Sequence, residues 1–237
     1  MMMKMKRSVC FFLLTAVILF SMPISACALD IPGYLKPGFQ TDIIELTDDS
    51  LPALLAEYAA IVGQLWQDSK GHWDDDCYDG CISDLDGDSF PELALVYSTD
   101  GTDTLEVQLL CRTAEGNIRR MKCQMGSNAG SPRVQVSLSR PDGRTLFHVS
   151  YANVTRAIYR VGVETVIELS KGELTPVHTL KWIENMTTRE AVYEADGKED
   201  QDAFARIHGA IEEQLCVYGY DGTPMTELQY QILHYKA

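Results

Sequence analysis

The sequence predicts an α+β fold: an antiparallel β-meander packed by an N-terminal amphipathic helix and by C-terminal helices. Two observations predict this class. Apolar residues recur at steps of three and four near both ends of the chain, which is the helical period. From Tyr78 to about Tyr193 they recur at every second position, which is the period of a half-buried strand. Helix, strands and then helices is the order of an α+β domain.

The chain begins with a segment typical of an export signal. Basic residues come first, an apolar run follows from Val9 to Phe20, and small residues end the segment at Ala26-Cys27-Ala28. The apolar run is short for a membrane span, so residues 1–28 are predicted to be a cleaved signal peptide of a secreted protein. The end of this segment also resembles a bacterial lipobox, and the alternative is a cell-surface lipoprotein with its lipid on Cys27.

The charge of the chain argues against two classes of partner. It carries 34 acidic and 20 basic residues, a net charge of −14, and cleavage of the signal peptide removes only basic ones. Nucleic acids and anionic membrane surfaces are recognised through basic patches, so neither is expected as a partner. A membrane contact is expected only through a lipid at Cys27. The expected ligand is a protein or a glycan outside the cell.

Residues 29–237 are predicted to form a single domain, which begins with an irregular stretch and a helix. Proline and glycine interrupt Leu29 to Asp48, so no regular element is predicted there. From Leu51 to Trp66 the apolar residues form one stripe along a helix, and Asp49 or Ser50 can cap its start. This helix is expected to lie across the sheet.

The meander is predicted from alternating segments separated by turns. The strands are Thr104 to Arg112, Ile118 to Met125, Val134 to Leu138, Phe147 to Tyr151, Val161 to Leu169, Leu174 to Trp182 and Glu190 to Glu194. Turns are predicted at Glu115-Gly116, Pro141-Asp142-Gly143 and Lys171-Gly172. One apolar and one polar face per strand predicts a sheet that is solvated on one side.

Two helices are predicted after the strands. The first is Gln201 to Leu215, and the second begins at Thr223-Pro224, because threonine caps a helix and proline suits its first position. His208 and Glu212 fall one turn apart on the first helix, a spacing that more often gives a surface pair than an acid–base couple.

One short run carries the pattern of a metal site. Asp84, Asp86, Asp88 and Glu92 place carboxylates at its positions 1, 3, 5 and 9, and Gly87 lies at the tight point. Two like charges 4 Å apart repel by about 1 kcal/mol even in water, so such a cluster usually holds a cation. Oxygen ligands without histidine or thiol indicate Ca²⁺. The alternative is an acidic, solvated turn without an ion.

The run fails the EF-hand pattern, which needs Gly at position 6 and Glu at position 12, where this chain has Ser89 and Leu95. It resembles the calcium loop of FG-GAP and integrin-type repeats, D-x-D-x-D-x-x-x-D/E between two strands. The resemblance covers Tyr78 to Tyr97, in a single copy. It implies one structural Ca²⁺ held by residues 84–92, with these ligands: Asp84, Asp86, Asp88, the backbone carbonyl of Phe90, and Glu92. Lone loops of this kind are similar to those of small secreted Gram-positive bacterial proteins of unknown role.

Cysteines constrain the fold less than the acidic run does. Five remain after the signal peptide: Cys77, Cys81, Cys111, Cys123 and Cys216. Because five is odd, at least one thiol stays free, and the pairing of the others is open. A zinc site from His72, Cys77 and Cys81 is a weaker alternative to buried thiols or disulfides.

Recognisable catalytic motifs are absent from the sequence. It contains no Gly-x-Ser-x-Gly elbow, no His-Glu-x-x-His and no phosphate-binding glycine loop. The sequence therefore predicts a secreted or surface-attached, non-enzymatic binding module with one structural Ca²⁺. The alternative is a secreted hydrolase, which would have a deep pocket lined by convergent carboxylates or by a histidine–acid pair.

Overall fold

The computed structural model describes residues 38–69, 78–98, 104–127, 133–155, 158–218 and 225–236. The predicted signal peptide and Cys27 lie outside these residues. Within them the chain is mostly antiparallel β-sheet with helices on the outside, which confirms the α+β class at this level. None of the described helices is long and apolar enough to cross a membrane.

The first sheet has five strands in the order β1-β5-β4-β3-β2. They are β1 (Gly38–Ile44), β2 (Tyr78–Ser83), β3 (Glu92–Ser98), β4 (Thr104–Arg112) and β5 (Ile118–Ser127). Strands β2 to β5 follow one another as a meander. The sequence predicted no regular element before Asp48, and this prediction is wrong for β1. This edge strand is ordered by its pairing with β5 rather than by an apolar alternation of its own.

The second sheet has seven strands in the order β11-β10-β9-β8-β7-β6-β12. They are β6 (Arg133–Ser139), β7 (Thr145–Thr155), β8 (Tyr159–Ser170), β9 (Glu173–Asn185), β10 (Ala191–Ala195), β11 (Lys198–Glu199) and β12 (Glu213–Val217). Strands β6 to β11 form a second meander, and the chain then returns to place β12 beside β6.

The main core lies between the two sheets. Each sheet contributes one apolar face to it, including Val96, Leu109, Val136, Val149 and Val163. The other face of the first sheet is covered by α1 (Leu51–Ser69) and α3 (Met225–Leu233). Strand β3 is consequently buried along its whole length. The prediction of a single sheet with one solvated face is therefore wrong for the first sheet, which is covered on both sides.

The outer face of the second sheet carries the remaining helix, α2 (Gln201–His208). The Asp200 side chain caps it by accepting a hydrogen bond from the Ala203 N–H at 2.8 Å. Phe204 packs this helix onto Leu180 and Ala195 of the sheet. The predicted helix from Gln201 to Leu215 is wrong in its second half. The helix ends at Gly209, and the backbone of β12 instead pairs with the otherwise open edge of β6.

Candidate functional site

The acidic run forms the loop of an edge hairpin. It joins β2 to β3, and these strands pair in a register that sets Ser83 opposite Glu92. The two ends of the run are therefore brought together at the edge of the first sheet, between two strands.

Three of the predicted ligands converge in this loop. Carboxylate oxygens of Asp84, Asp86 and Asp88 lie within 4.8 Å of one another, with Asp84 partly buried and the other two exposed. Burial and the neighbouring charge of Asp88 raise the pKa of Asp86. Three acidic groups at this separation repel one another in the absence of a cation. The cluster could hold a metal ion.

Backbone N–H groups orient the carboxylate of Asp84. Its Oδ1 accepts from the Gly87 N–H at 2.8 Å, and its Oδ2 accepts from the Ser89 N–H at 3.1 Å. The chain reaches this geometry with positive φ angles of 81° at Gly87 and 74° at Ser89. Glycine adopts such a backbone freely, whereas a residue with a Cβ is strained by about 1–2 kcal/mol.

The other two aspartates each accept one backbone hydrogen bond. Asp86 Oδ1 accepts from the Asp88 N–H at 3.2 Å, and Asp88 Oδ1 accepts from the Phe90 N–H at 2.7 Å. Each carboxylate therefore keeps an oxygen with lone pairs that remain available for a cation. The Phe90 ring lies under the Arg112 guanidinium, 4.1 Å from its carbon. The role of the Phe90 carbonyl as a ligand stays a prediction.

Glu92 lies beneath the loop rather than in the group of three. Its side chain is 2% exposed, and its Oε2 accepts from the Leu85 N–H at 2.7 Å. Burial, with repulsion from the three aspartates, raises the pKa of Glu92 to about 8. The Glu92 carboxyl is therefore a buried hydrogen-bond acceptor for the loop backbone. Its role as a fourth carboxylate ligand stays a prediction.

The described part of the chain contains no disulfide bond. Its four cysteines, Cys81, Cys111, Cys123 and Cys216, have free thiols. Burial raises the pKa of the Cys81 thiol to about 11, which keeps it protonated at neutral pH. His72 and Cys77, the partners of Cys81 in the alternative zinc site, lie outside the described residues.

A second candidate site, which the sequence analysis did not predict, is a cavity on the outer face of the second sheet. It has a volume of about 720 Å³. Its walls include Arg133, Arg160, Trp182, Glu184, Tyr193 and His208. These residues come from strands β6, β8, β9 and β10 and from the end of α2, so no short stretch of sequence could have revealed them.

A chain of hydrogen bonds runs beneath this cavity. Ser139 Oγ lies 2.7 Å from His148 Nε2, and His148 Nδ1 lies 2.7 Å from Glu164 Oε1. The other oxygen of Glu164 lies 2.6 Å from His208 Nδ1. Ser139, His148 and Glu164 are at most 1% exposed, whereas the His208 side chain is 42% exposed and lines the cavity.

The registers of the sheet explain why these groups meet. Ser150 pairs with Glu164 across β7 and β8, and His148 lies two residues before Ser150 on the same face. Helix α2 crosses this face and delivers His208 from its last turn. The predicted surface pair of His208 with Glu212 is wrong, because the helix has ended before Glu212, whose Oε1 accepts from the Arg140 N–H.

The negative charge of Glu164 is stabilised by the two histidines that contact it. Burial alone would raise the pKa of Glu164, but the hydrogen bonds from His148 and His208 outweigh it and lower the pKa. The hydrogen bond between Glu164 and His208 also raises the pKa of His208. A buried carboxylate with two imidazole partners therefore stays charged without an external cation.

Ser139, His148 and Glu164 are hydrogen-bonded in the sequence serine to histidine to acid, at the distances of a catalytic triad. A nucleophile must reach its substrate, and the Ser139 side chain is fully buried in this structure. The arrangement therefore satisfies buried polar groups rather than presenting a nucleophile.

Comparison with known proteins adds no relative. No family model, curated protein or solved structure is significantly similar to this chain.

Proposed function

We propose that this protein is an exported, non-enzymatic binding protein whose fold is stabilised by one structural Ca²⁺ in the loop of residues 84–92. The convergence of the Asp84, Asp86 and Asp88 carboxylates within 4.8 Å is the observation that carries the proposal. Their repulsion makes the loop costly to hold without a cation, and a divalent ion turns it into attraction.

Calcium fits this donor set better than other common cations. All the proposed ligands are protein oxygens from one loop, which suits the flexible coordination of Ca²⁺, whereas Mg²⁺ usually keeps several waters and binds only one or two carboxylates. Glu92 and the carbonyl of Phe90 would complete the ligands. Outside the cell calcium is abundant, so a site with a dissociation constant of roughly 10⁻⁴–10⁻³ M is sufficient there.

The ion would stabilise more than the loop itself. The Asp84 N–H donates to the Tyr235 hydroxyl at 3.2 Å, just after α3. Thr145 Oγ1, on β7 of the second sheet, donates to the Leu85 carbonyl at 3.4 Å. A cation that fixes residues 84–92 therefore also holds contacts to the second sheet and to the C-terminal segment, which is a structural role.

Thermal unfolding with and without a chelator tests the calcium proposal. At free calcium 100 times the dissociation constant, binding stabilises the fold by about 2.7 kcal/mol, so chelation lowers the melting temperature. The variant for this test is Asp86→Asn, because an amide oxygen can still accept the Asp88 N–H while one charge is removed. We expect its melting temperature to lose most of its response to calcium.

The matched control is Asp142→Asn, an exposed aspartate in another turn with a positive φ of 55°. It should respond to calcium as the wild type does. Equal melting temperatures for the wild type in calcium and in chelator would contradict the proposal.

A hydrolase is the second candidate, and the His208–Glu164 pair at the cavity is the observation that favours it. A histidine oriented by a carboxylate is the arrangement of a general base. Turnover of chromogenic esters or glycosides by the wild type, lost in His208→Gln, would support this candidate. Absence of turnover across both substrate classes would favour the binding protein.

Export is the remaining part of the proposal. Mass spectrometry of the mature N-terminus distinguishes its two forms: a chain that begins at Leu29 is secreted, and one that begins at a diacylglycerol-modified Cys27 is anchored at the cell surface. A chain that retains Met1 would contradict export by either route.

A further inference from the structure

The cavity on the second sheet has an aromatic side. Trp182 lies directly over Gly162, where an added Cβ would stand 2.0 Å from the indole ring. Phe204 packs against Trp182 with a centroid distance of 5.8 Å and against Tyr193 at 4.8 Å. Phe204 is buried, so Trp182 and Tyr193 are the aromatic groups that can face a ligand. Such a surface suits a ring or another flat apolar body.

Cationic groups also line the cavity, although the whole chain carries a net charge of −14. Arg160 lies 3.6 Å from Glu184, which also contacts Arg189 at 3.3 Å, so this carboxylate is shared by two guanidinium groups. Among the described residues, the hydrogen-bond partner of the Arg133 guanidinium is the neutral Gln214 amide oxygen, at 3.4 Å. Arg133 therefore retains donors that a negatively charged ligand could use.

His208 adds a second donor to the cavity, beside the aromatic groups, because its ring centroid lies 6.3 Å from that of Trp182. Its Nδ1 is engaged by the buried Glu164, which leaves Nε2 as the ring nitrogen that can meet a ligand. Among the described residues, Glu164 contacts this imidazole directly, and the charged residues that line the same cavity are Arg133, Arg160 and Glu184. Glu164 holds the ring in one orientation, so the donor is preorganised.

We propose that this cavity binds a small organic carboxylate with a ring, with the carboxylate on Arg133 and His208 and the ring on Trp182 and Tyr193. A single negative charge is the better match, because Glu184 offsets Arg160 and leaves one guanidinium and one imidazole for the ligand. A volume of about 720 Å³ is within the range of small-molecule sites. The inference is independent of the calcium loop.

Paired titrations with benzoate and benzamide test the charge requirement, because the two probes share a ring and differ in charge. Binding is followed by calorimetry and by intrinsic tryptophan fluorescence, in buffer that contains calcium. We expect benzoate to bind at least about tenfold more tightly than benzamide, the size of one charge-assisted hydrogen bond. Arg133→Gln should lower the benzoate affinity most of the way toward that of benzamide, because His208 still contacts the carboxylate, and it should leave benzamide binding unchanged.

Arg206→Gln is the matched control, because Arg206 is an exposed arginine on α2 that does not line the cavity. It should bind benzoate as the wild type does. Equal affinities for the two probes, no binding of either at millimolar concentration, or an equal loss in Arg133→Gln and Arg206→Gln would each overturn the proposal. Denaturation curves of both variants confirm that they fold.

The pH dependence provides a second, independent readout. Protonated His208 binds an anion more tightly, and the hydrogen bond to Glu164 raises its pKa, so wild-type affinity for benzoate should fall as the pH rises above about 6.5. His208→Gln should bind benzoate with an affinity that changes little over this range. An unchanged pH profile in His208→Gln would contradict the assignment of the imidazole. Because calcium is present throughout, failure here is distinguishable from failure of the metal proposal.

Discussion

The acidic loop and the sheet cavity gather ionisable groups in opposite ways. In the loop three carboxylates lie within 4.8 Å of one another, and among the described residues the group contains no cationic side chain. Beneath the cavity one carboxylate meets two histidines, and the charge is balanced within the protein. The loop could therefore hold an ion from solution, whereas the Glu164 network is neutralised by groups of the fold itself.

The largest expected difference between the two regions is the effect of deleting a carboxylate. Glu164→Ala leaves His148 buried without its partner, so the free energy of unfolding should fall by about 3–5 kcal/mol. Asp84→Ala in calcium-free buffer removes two hydrogen bonds but also relieves repulsion, so it should cost about 1 kcal/mol or less. Urea denaturation measures both. A cost for Glu164→Ala no larger than that for Asp84→Ala would contradict the comparison.

The two regions also differ in how readily their sequences predict them. The loop ligands lie within nine consecutive positions, so their spacing alone indicated a cluster. Glu164 and His208 are 44 positions apart, and only strand register and the path of α2 bring them together. Neither carries a local motif, and a histidine followed by a glutamate four residues later predicted the wrong partner.

The elements of the fold likewise differ in whether local sequence predicts them. The turn residues around Gly116, Gly143 and Gly172 predicted the hairpins of β4–β5, β6–β7 and β8–β9, because turn chemistry is local. Strands β1 and β12 were missed, since each is an edge strand ordered by a distant partner. The division into two stacked sheets was also missed, because alternation within a strand does not reveal which surface covers it.

Glycine substitutions in the two regions should change the free energy of unfolding by intermediate amounts. Gly162→Ala would push a methyl group into Trp182, so the free energy of unfolding should fall by about 1–3 kcal/mol. Gly87→Ala meets open space and acts only through its positive φ of 81°, at a cost of about 1 kcal/mol. Denaturation curves followed by intrinsic tryptophan fluorescence check both. Gly162→Ala should also displace the indole and alter its emission, and an unchanged spectrum would contradict the packing.

The smallest expected effect lies at Ser89. Its φ of 74° is strained for serine, so Ser89→Gly should relieve the backbone. Glycine also has greater freedom in the unfolded chain, so the net gain should be at most about 1 kcal/mol. Thermal unfolding in chelator measures it, with Ser89→Ala as the control that keeps a Cβ. A loss of stability in Ser89→Gly that exceeds that in Ser89→Ala would contradict the strain at this position.

Calorimetric titration of Ca²⁺ into the metal-free mature chain shows whether the acidic loop binds the ion. We predict one ion bound per chain, with binding greatly weakened in Asp86→Asn and retained in Asp142→Asn. A titration without binding, or one that is the same in Asp86→Asn as in the wild type, would contradict the claim that the Asp84, Asp86 and Asp88 carboxylates meet around calcium.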